Sequence, residues 1–131
     1  MLTSAQEAAL IALAASARGR AYAPYSRYSV GAAVVADDER TFHGCNVENG
    51  SRGLTLCAER AAVASAVAAG ARRIVTVVVV TDDSRPRMPC GACLQFVAEF
   101  CEPAAAVIAA TVSGDVRRSS LRDLMKEPFQ P

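Results

Sequence analysis

The stretch Ile74-Val75-Thr76-Val77-Val78-Val79-Val80-Thr81 constrains this chain more than any other. A strand with one wet face alternates apolar and polar residues. This one is β-branched almost throughout and reads as a strand covered on both faces. Ala105 to Val112 reads the same way. Two such strands require a layer on each side of a sheet, and the Ala- and Leu-rich segments around them supply helices for both layers. With 131 residues, 52% of them apolar, the chain makes one domain over residues 1–131 with a single core. The expected fold is α/β: a three-layer α/β/α sandwich around a mixed five-stranded sheet, an N-terminal hairpin followed by parallel strands.

Ser4 and Glu7 form a capping-box pair ahead of a helix that runs to about Arg18. Pro24 breaks the chain after it. Tyr28 to Val35 and Arg40 to Asn46 read as a hairpin across the polar turn Ala36-Asp37-Asp38-Glu39. Val47 to Leu56 is a loop, and a second helix runs from Cys57 to Ala69, stopped by Gly70. After the strand Arg73 to Thr81, a third helix is expected from Cys90 to Cys101, ended by Pro103. The turn Ser113-Gly114-Asp115 leads into a short strand, Val116 to Arg118, and a last helix capped by Ser119 or Ser120 runs to Lys126.

Each end of this frame carries cysteines at helix starts. Cys57-Ala58-Glu59-Arg60 and Pro89-Cys90-Gly91-Ala92-Cys93 hold three of the five cysteines. Cys-x-Glu followed by Pro-Cys-x-x-Cys is the thiolate form of a zinc deaminase signature, in which three ligands leave one metal position open. Helix N-termini favour the thiolates that bind metal. Three thiolates on zinc leave an excess of negative charge, which Arg60, one turn past Cys57, can draw back by hydrogen-bonding a sulfur. A structural zinc site would need a fourth ligand, and His43 lies mid-hairpin, outside any ligand spacing. Glu59, two residues past a ligand, is the expected catalytic carboxylate. The net charge of +1 gives no basic stripe for nucleic acid. No apolar run reaches the length of a membrane span, and no signal-peptide pattern opens the chain. A cytoplasmic location is therefore expected, with the cysteines reduced and Cys45 and Cys101 as ordinary buried thiols.

Ala21-Tyr22-Ala23-Pro24-Tyr25-Ser26, Val30-Gly31-Ala32-Ala33, Gly44-Cys45-Asn46-Val47-Glu48-Asn49, Gly53-Leu54-Thr55-Leu56-Cys57-Ala58-Glu59-Arg60 and Pro89-Cys90-Gly91-Ala92-Cys93 together resemble the small homotetrameric cytidine deaminases. The match runs in register from the first helix to Leu124-Met125 and Pro128-Phe129. The resemblance implies one zinc per chain on Cys57, Cys90 and Cys93. It implies that Asn46 and Glu48 hold the ribose hydroxyls, a pairing of amide and carboxylate that suits a group able both to donate and to accept. It also places Tyr28 beside the pyrimidine, where the family has Phe, and Tyr25 at a subunit contact. Phe129 is implied to reach the base in a neighbouring subunit of a homotetramer with shared sites. Backbone N–H groups near Ala58 and Cys90 are expected to orient the ring.

Four positions depart from the family pattern. Arg52 replaces Tyr near the subunit contact, Leu94 replaces Arg, Gly50 replaces Ala, and Lys126 replaces Pro. Arg52 is expected at that contact, near a substrate pocket, with its guanidinium satisfied across the contact by a carboxylate, by carbonyls or by a stacked aromatic such as Tyr25. The implied activity is zinc-dependent hydrolytic deamination of cytidine and 2′-deoxycytidine to uridine and 2′-deoxyuridine, releasing ammonia, in pyrimidine salvage. The partner is then a small nucleoside, with no nucleic acid or membrane. Two alternatives stand beside it: deamination of a cytosine-containing nucleoside antibiotic, and a non-catalytic zinc-binding assembly module.

Overall fold

The computed structural model describes residues 2–131. Helix α1 (Ser4–Arg18) is followed by strands β1 (Gly31–Ala36) and β2 (Thr41–Cys45), a single 3-10 turn (Arg52–Leu54), and helix α2 (Ala58–Ala68). Strand β3 (Ile74–Thr81), helix α3 (Gly91–Ala98), strands β4 (Cys101–Thr111) and β5 (Val116–Ser120), and the one-turn helix α4 (Leu121–Leu124) complete the order. The strands form one sheet in the order β2-β1-β3-β4-β5. Strand β1 is antiparallel to both β2 and β3, and β3 and β4 are parallel.

The expected three layers and five strands are present, with one correction. The strands after the hairpin are not all parallel, because β5 runs antiparallel to β4. The turn between them is too short for a crossover, and Gly114 takes the left-handed conformation it needs (φ 109°). Alternation along the central strands feeds both faces. Val77 packs with Ala62, Val63 and Ala66 of α2, whereas Val78 and Val80 pack with Leu10 and Ala14 of α1. Val107 joins Leu94 of α3 and Leu121 of α4, while its neighbour Ile108 turns to the α1 side. One face therefore carries α1 alone, and the other carries α2, α3 and α4.

Several boundaries differ from expectation for local reasons. The capping box of α1 is Thr3 with Gln6, not Ser4 with Glu7: the Thr3 hydroxyl accepts from the Gln6 N–H, and the Gln6 side chain accepts from the Thr3 N–H. Glu7 instead pairs with Arg118 on β5. Helix α3 stops at Ala98, short of Cys101, because the chain has already entered the sheet, where the Ile74 N–H donates to the Phe100 carbonyl at 2.7 Å. Pro103 thus lies in a strand and does not end a helix. It sits where the ladder slips between Cys101 and Ala106, the bulged position at which a missing N–H is tolerated. Helix α4 ends at Leu124, before Lys126.

Two glycines let the helices approach the hairpin. A Cβ on Gly31 would lie 1.9 Å from the Ala14 carbonyl oxygen of α1. One on Gly44 would lie 2.5 Å from the Ala62 nitrogen and 2.8 Å from the Ala58 oxygen of α2. Both contacts are with backbone, so the placement of α2, and of the residues at its start, depends on Gly44 having no side chain.

Candidate active site

Cys57 and Cys90 are the N-caps of α2 and α3, and Cys93 lies one turn into α3. Neither cap side chain bonds its own helix, so the free N–H groups of two helix starts lie beside the sulfurs. The three Sγ atoms lie within 4.8 Å of one another. A tetrahedral zinc–thiolate site has bonds of about 2.3 Å, and the edges that follow are about 3.8 Å. The group is therefore compact enough to close on a metal with small adjustments. It is also the only cluster of three or more His, Cys, Asp or Glu ligand atoms among the described residues. Three soft donors of this kind suit zinc. His43 takes no part: it faces Ala33 across the hairpin. Burial is graded, with Cys93 buried, Cys57 half-buried and Cys90 exposed, which leaves the Cys90 side as the open approach.

The Arg60 Nη2 donates to the Cys57 sulfur at 3.1 Å. That bond holds the Arg60 guanidinium above its ordinary value, while burial pushes the Cys93 thiol up. Cys45 and Cys101 are half-buried and not fully buried as expected, because each lies at a strand end; burial still pushes the Cys101 thiol up to about 12. Glu59, at the second position of α2, is only 5% exposed. Burial pushes its carboxyl above the ordinary carboxylate value, and neighbouring Arg60 offsets part of this. A buried carboxyl of raised proton affinity, two residues past Cys57, is suited to pass protons in both directions.

A second group of residues lies around the β1 entry. The Asn46 amide accepts from the Val30 N–H and donates to the Tyr28 carbonyl, both at 2.8 Å. It stands where a neighbouring strand would otherwise pair, which is why β1 begins at Gly31 and not at Tyr28. Glu48 Oε1 accepts from the N–H groups of Tyr25 and Ser26, at 3.0 and 3.1 Å, and Oε2 accepts from the Ser26 hydroxyl. These donors, the Ser26 hydroxyl first, hold the Glu48 carboxyl below its ordinary value. One lone pair on Oε2 has no partner in this scheme and is free to meet a ligand hydroxyl.

Residues 4–110 match the family model described as the cytidine and deoxycytidylate deaminase zinc-binding region. The chain belongs to that family. It is 42% identical to the cytidine deaminase of Sporosarcina psychrophila over 120 residues, covering 92% of this chain and 88% of the relative. It is 43% identical to that of Halalkalibacterium halodurans, covering 92% and 91%. The crystal structure of cytidine deaminase from Burkholderia pseudomallei superposes with a TM-score of 0.91 at 47% identity, over 98% of this chain and all of the other.

In this deaminase-family chain, the aromatic and departing positions fall as follows. Arg52 lies over the Tyr25 ring of its own chain, its guanidinium carbon 5.6 Å from the ring centroid, so the aromatic partner expected across a contact is instead met within the chain. A side chain on Gly50 would crowd the Tyr25 hydroxyl at 3.2 Å. Leu94 is a core residue beside Val107 and Leu121, so the departure from Arg there adds apolar packing. Ala58 is fully buried at the start of α2. Phe129 is not gathered with the other candidate residues and is 75% exposed. Its backbone is held by Gln95 of α3, which accepts from the Phe129 N–H at 2.8 Å and donates to its carbonyl at 3.1 Å. Sequence reasoning missed Gln95 and also Asp83, whose carboxylate accepts from the Tyr28 phenol, and gave Ser26 no role. Ser26 was at least visible inside the Tyr22-to-Ser26 motif. Nothing local marks the other two.

Proposed function

We propose that residues 1–131 form one catalytic unit that deaminates cytidine and 2′-deoxycytidine hydrolytically, giving uridine or 2′-deoxyuridine and ammonia. The observation that carries this reading is the buried Glu59 carboxyl, two residues from Cys57, at a helix start that faces three clustered sulfurs. Cys57, Cys90 and Cys93 would hold one zinc ion. When bound, zinc supplies the pull that makes water acidic enough to give up a proton near neutral pH. Glu59 receives that proton and delivers it to ring N3 as C4 is attacked. It then takes the proton of the new C4 hydroxyl and passes it to the amine, so that ammonia leaves as the C4 carbonyl of uridine forms. Arg60 draws charge from the Cys57 sulfur and so prevents three thiolates from quenching the metal's pull. The N–H groups near Ala58 and Cys90 orient the base. Asn46 and Glu48 take the sugar hydroxyls, with Glu48 preset for this by Ser26 and the loop N–H groups.

The assembly in this reading is a homotetramer. Tyr22, Val47 and Leu56 are joined by isolated bridges and, with Tyr25 and Leu54, leave apolar side chains exposed. Phe129 is exposed and tethered, as a residue lent to a neighbour would be. Arg52 and Tyr25 present a stacked pair to the same contact. A cytosolic setting suits five free cysteines, and no helix among the described residues is long and apolar enough to cross a membrane. The test is the ultraviolet change of cytidine, deoxycytidine, cytosine and adenosine with purified protein, alongside sedimentation. Turnover of the two cytidines with little action on free cytosine or adenosine is expected. Stoichiometric zinc without ammonia release would overturn the enzymatic reading, and an active monomer would overturn the shared site.

A further inference from the structure

Tyr28 is held in a way that packing does not explain. Its ring is 41% exposed and joins none of the three core clusters. Yet each of its polar atoms has a side-chain partner. The Tyr28 N–H donates to the Ser26 hydroxyl at 3.0 Å, its carbonyl accepts from the Asn46 amide at 2.8 Å, and its phenol donates to Asp83. The residue before it, Arg27, sits in the left-handed region (φ 58°), an uncommon conformation for a non-glycine residue. The carbonyl of the residue after it, Ser29, accepts from Arg18 Nε at 3.0 Å. Ser26, Asn46 and Arg18 thus fix the backbone through Tyr28 and Ser29, and Asp83 fixes the ring by its phenol, although the residue is left half open to solvent, as a preformed ligand wall requires. Asp83 belongs to the loop between β3 and α3, and Arg87 in the same loop approaches its carboxylate at 3.7 Å. Two residues after Arg87 come Pro89 and then Cys90.

We propose that Asp83 is a positioning residue: through the phenol it fixes the Tyr28 ring as a wall of the pyrimidine pocket, and through Arg87 it ties that wall to the segment leading into Cys90. This rests on the reading of Tyr28 as the residue beside the base. A phenylalanine at position 28 could make the same ring contact but could not be anchored this way, so the device depends on the hydroxyl that this chain carries. It is one end of a run of contacts, Glu48–Ser26–Tyr28–Asp83, in which Ser26 accepts from the Tyr28 N–H and Asp83 from its phenol, so that Tyr28 itself spans from the sugar grip to the base wall. The Tyr28 phenol is raised, first by burial, and the Asp83 carboxyl is lowered, first by that phenol. Both shifts keep the donor protonated and the acceptor ionised at neutral pH.

Steady-state kinetics on cytidine with zinc-loaded enzyme tests this through Y28F, D83A, their double variant, D83N and Y28A, with zinc content measured for each. Losing the anchor loosens the wall without touching the proton path. Y28F and D83A should therefore each raise KM about three- to tenfold with kcat within about twofold. The double variant should be no worse than D83A, because the phenol–carboxylate bond that Y28F removes is already lost there. D83N keeps an oxygen acceptor and should recover most of the affinity lost in D83A. An unchanged KM in Y28F, or multiplying effects in the double variant, would overturn the proposal. If D83A fails to fold, Y28F and D83N decide it. Y28A separates the two readings. A raised KM there with unchanged Y28F and D83A removes only the anchor, whereas an unchanged KM in Y28A removes the base contact itself.

Discussion

Replacing Gly44 by alanine should damage the active site from the opposite side of α2. The new methyl would lie 2.5 Å from the Ala62 nitrogen and 2.8 Å from both the Ala58 oxygen and the Ala61 Cβ. Ordinary contact begins at 3.4 Å, so the helix must retreat by about 0.9 Å or the hairpin must buckle. Two of the three obstacles are backbone, so no rotamer change relieves them. Overpacking of this kind costs about 1–3 kcal/mol, which for a chain of this size lowers the melting temperature by roughly 4–12 °C. The retreating helix carries Cys57, Glu59 and Arg60 with it, whereas Cys90 and Cys93 ride on α3 and stay. A misplacement near 1 Å can cost on the order of 10²-fold in rate. G44A should therefore melt early, hold zinc more weakly and turn over cytidine at about a hundredth of the wild-type kcat. Differential scanning calorimetry, a chelator competition titration and steady-state kinetics read the three effects. A G44A protein with unchanged melting temperature, zinc affinity and kcat would show that α2 does not take its position from Gly44.

Two other perturbations separate chemistry from support. E59A should keep zinc and fold while losing at least the roughly 10²–10⁴-fold typical of a lost general acid–base group; near wild-type turnover in a zinc-replete protein refutes the assignment. S26A removes the hydroxyl that chiefly lowers the Glu48 carboxyl, so that carboxyl should rise toward its ordinary 4.5. A lowered native value contributes stability that is present above the unfolded value and lost as pH falls through the native one. The stability gap between wild type and S26A, read by urea midpoints, should thus be present at neutral pH and narrow below about pH 4.5. A gap independent of pH would detach Ser26 from Glu48.

The parts of this protein written in short-range pattern were legible in its sequence. Ile74 to Thr81 declared a strand covered twice, and the two cysteine motifs declared a metal-binding group at helix starts, because a ligand spacing survives translation into any fold that preserves it. Features set by distant partners were not legible. Nothing near Tyr28 shows that Asn46 replaces a strand partner there, so the start of β1 was read three residues early. Pro103 looked like a helix stop, since a bulge is visible only from the strand opposite. The orientation of β5 was implicit in the Ser113-Gly114-Asp115 turn, whose brevity outweighs the general tendency toward parallel pairing. Asp83 and Gln95 carry no local mark, because their roles consist entirely of what lies across from them.

On the proposed role of Asn46 and Glu48 as the sugar grip, the two hydrogen bonds that Asn46 already makes have a consequence for any attempt to retarget the site to unnatural sugars. An obvious library would randomise positions 46 and 48 together. Position 46, however, also serves as a spliced-in peptide unit between Tyr28 and Val30, so most replacements would be discarded for misfolding before their sugar preference was ever sampled. Position 48 bonds only an exposed loop, which can be redesigned with it. The productive search space is therefore Glu48 with Tyr25, leaving the asparagine, and Ser26 whose hydroxyl also accepts from the Tyr28 N–H, as fixed parts of the frame.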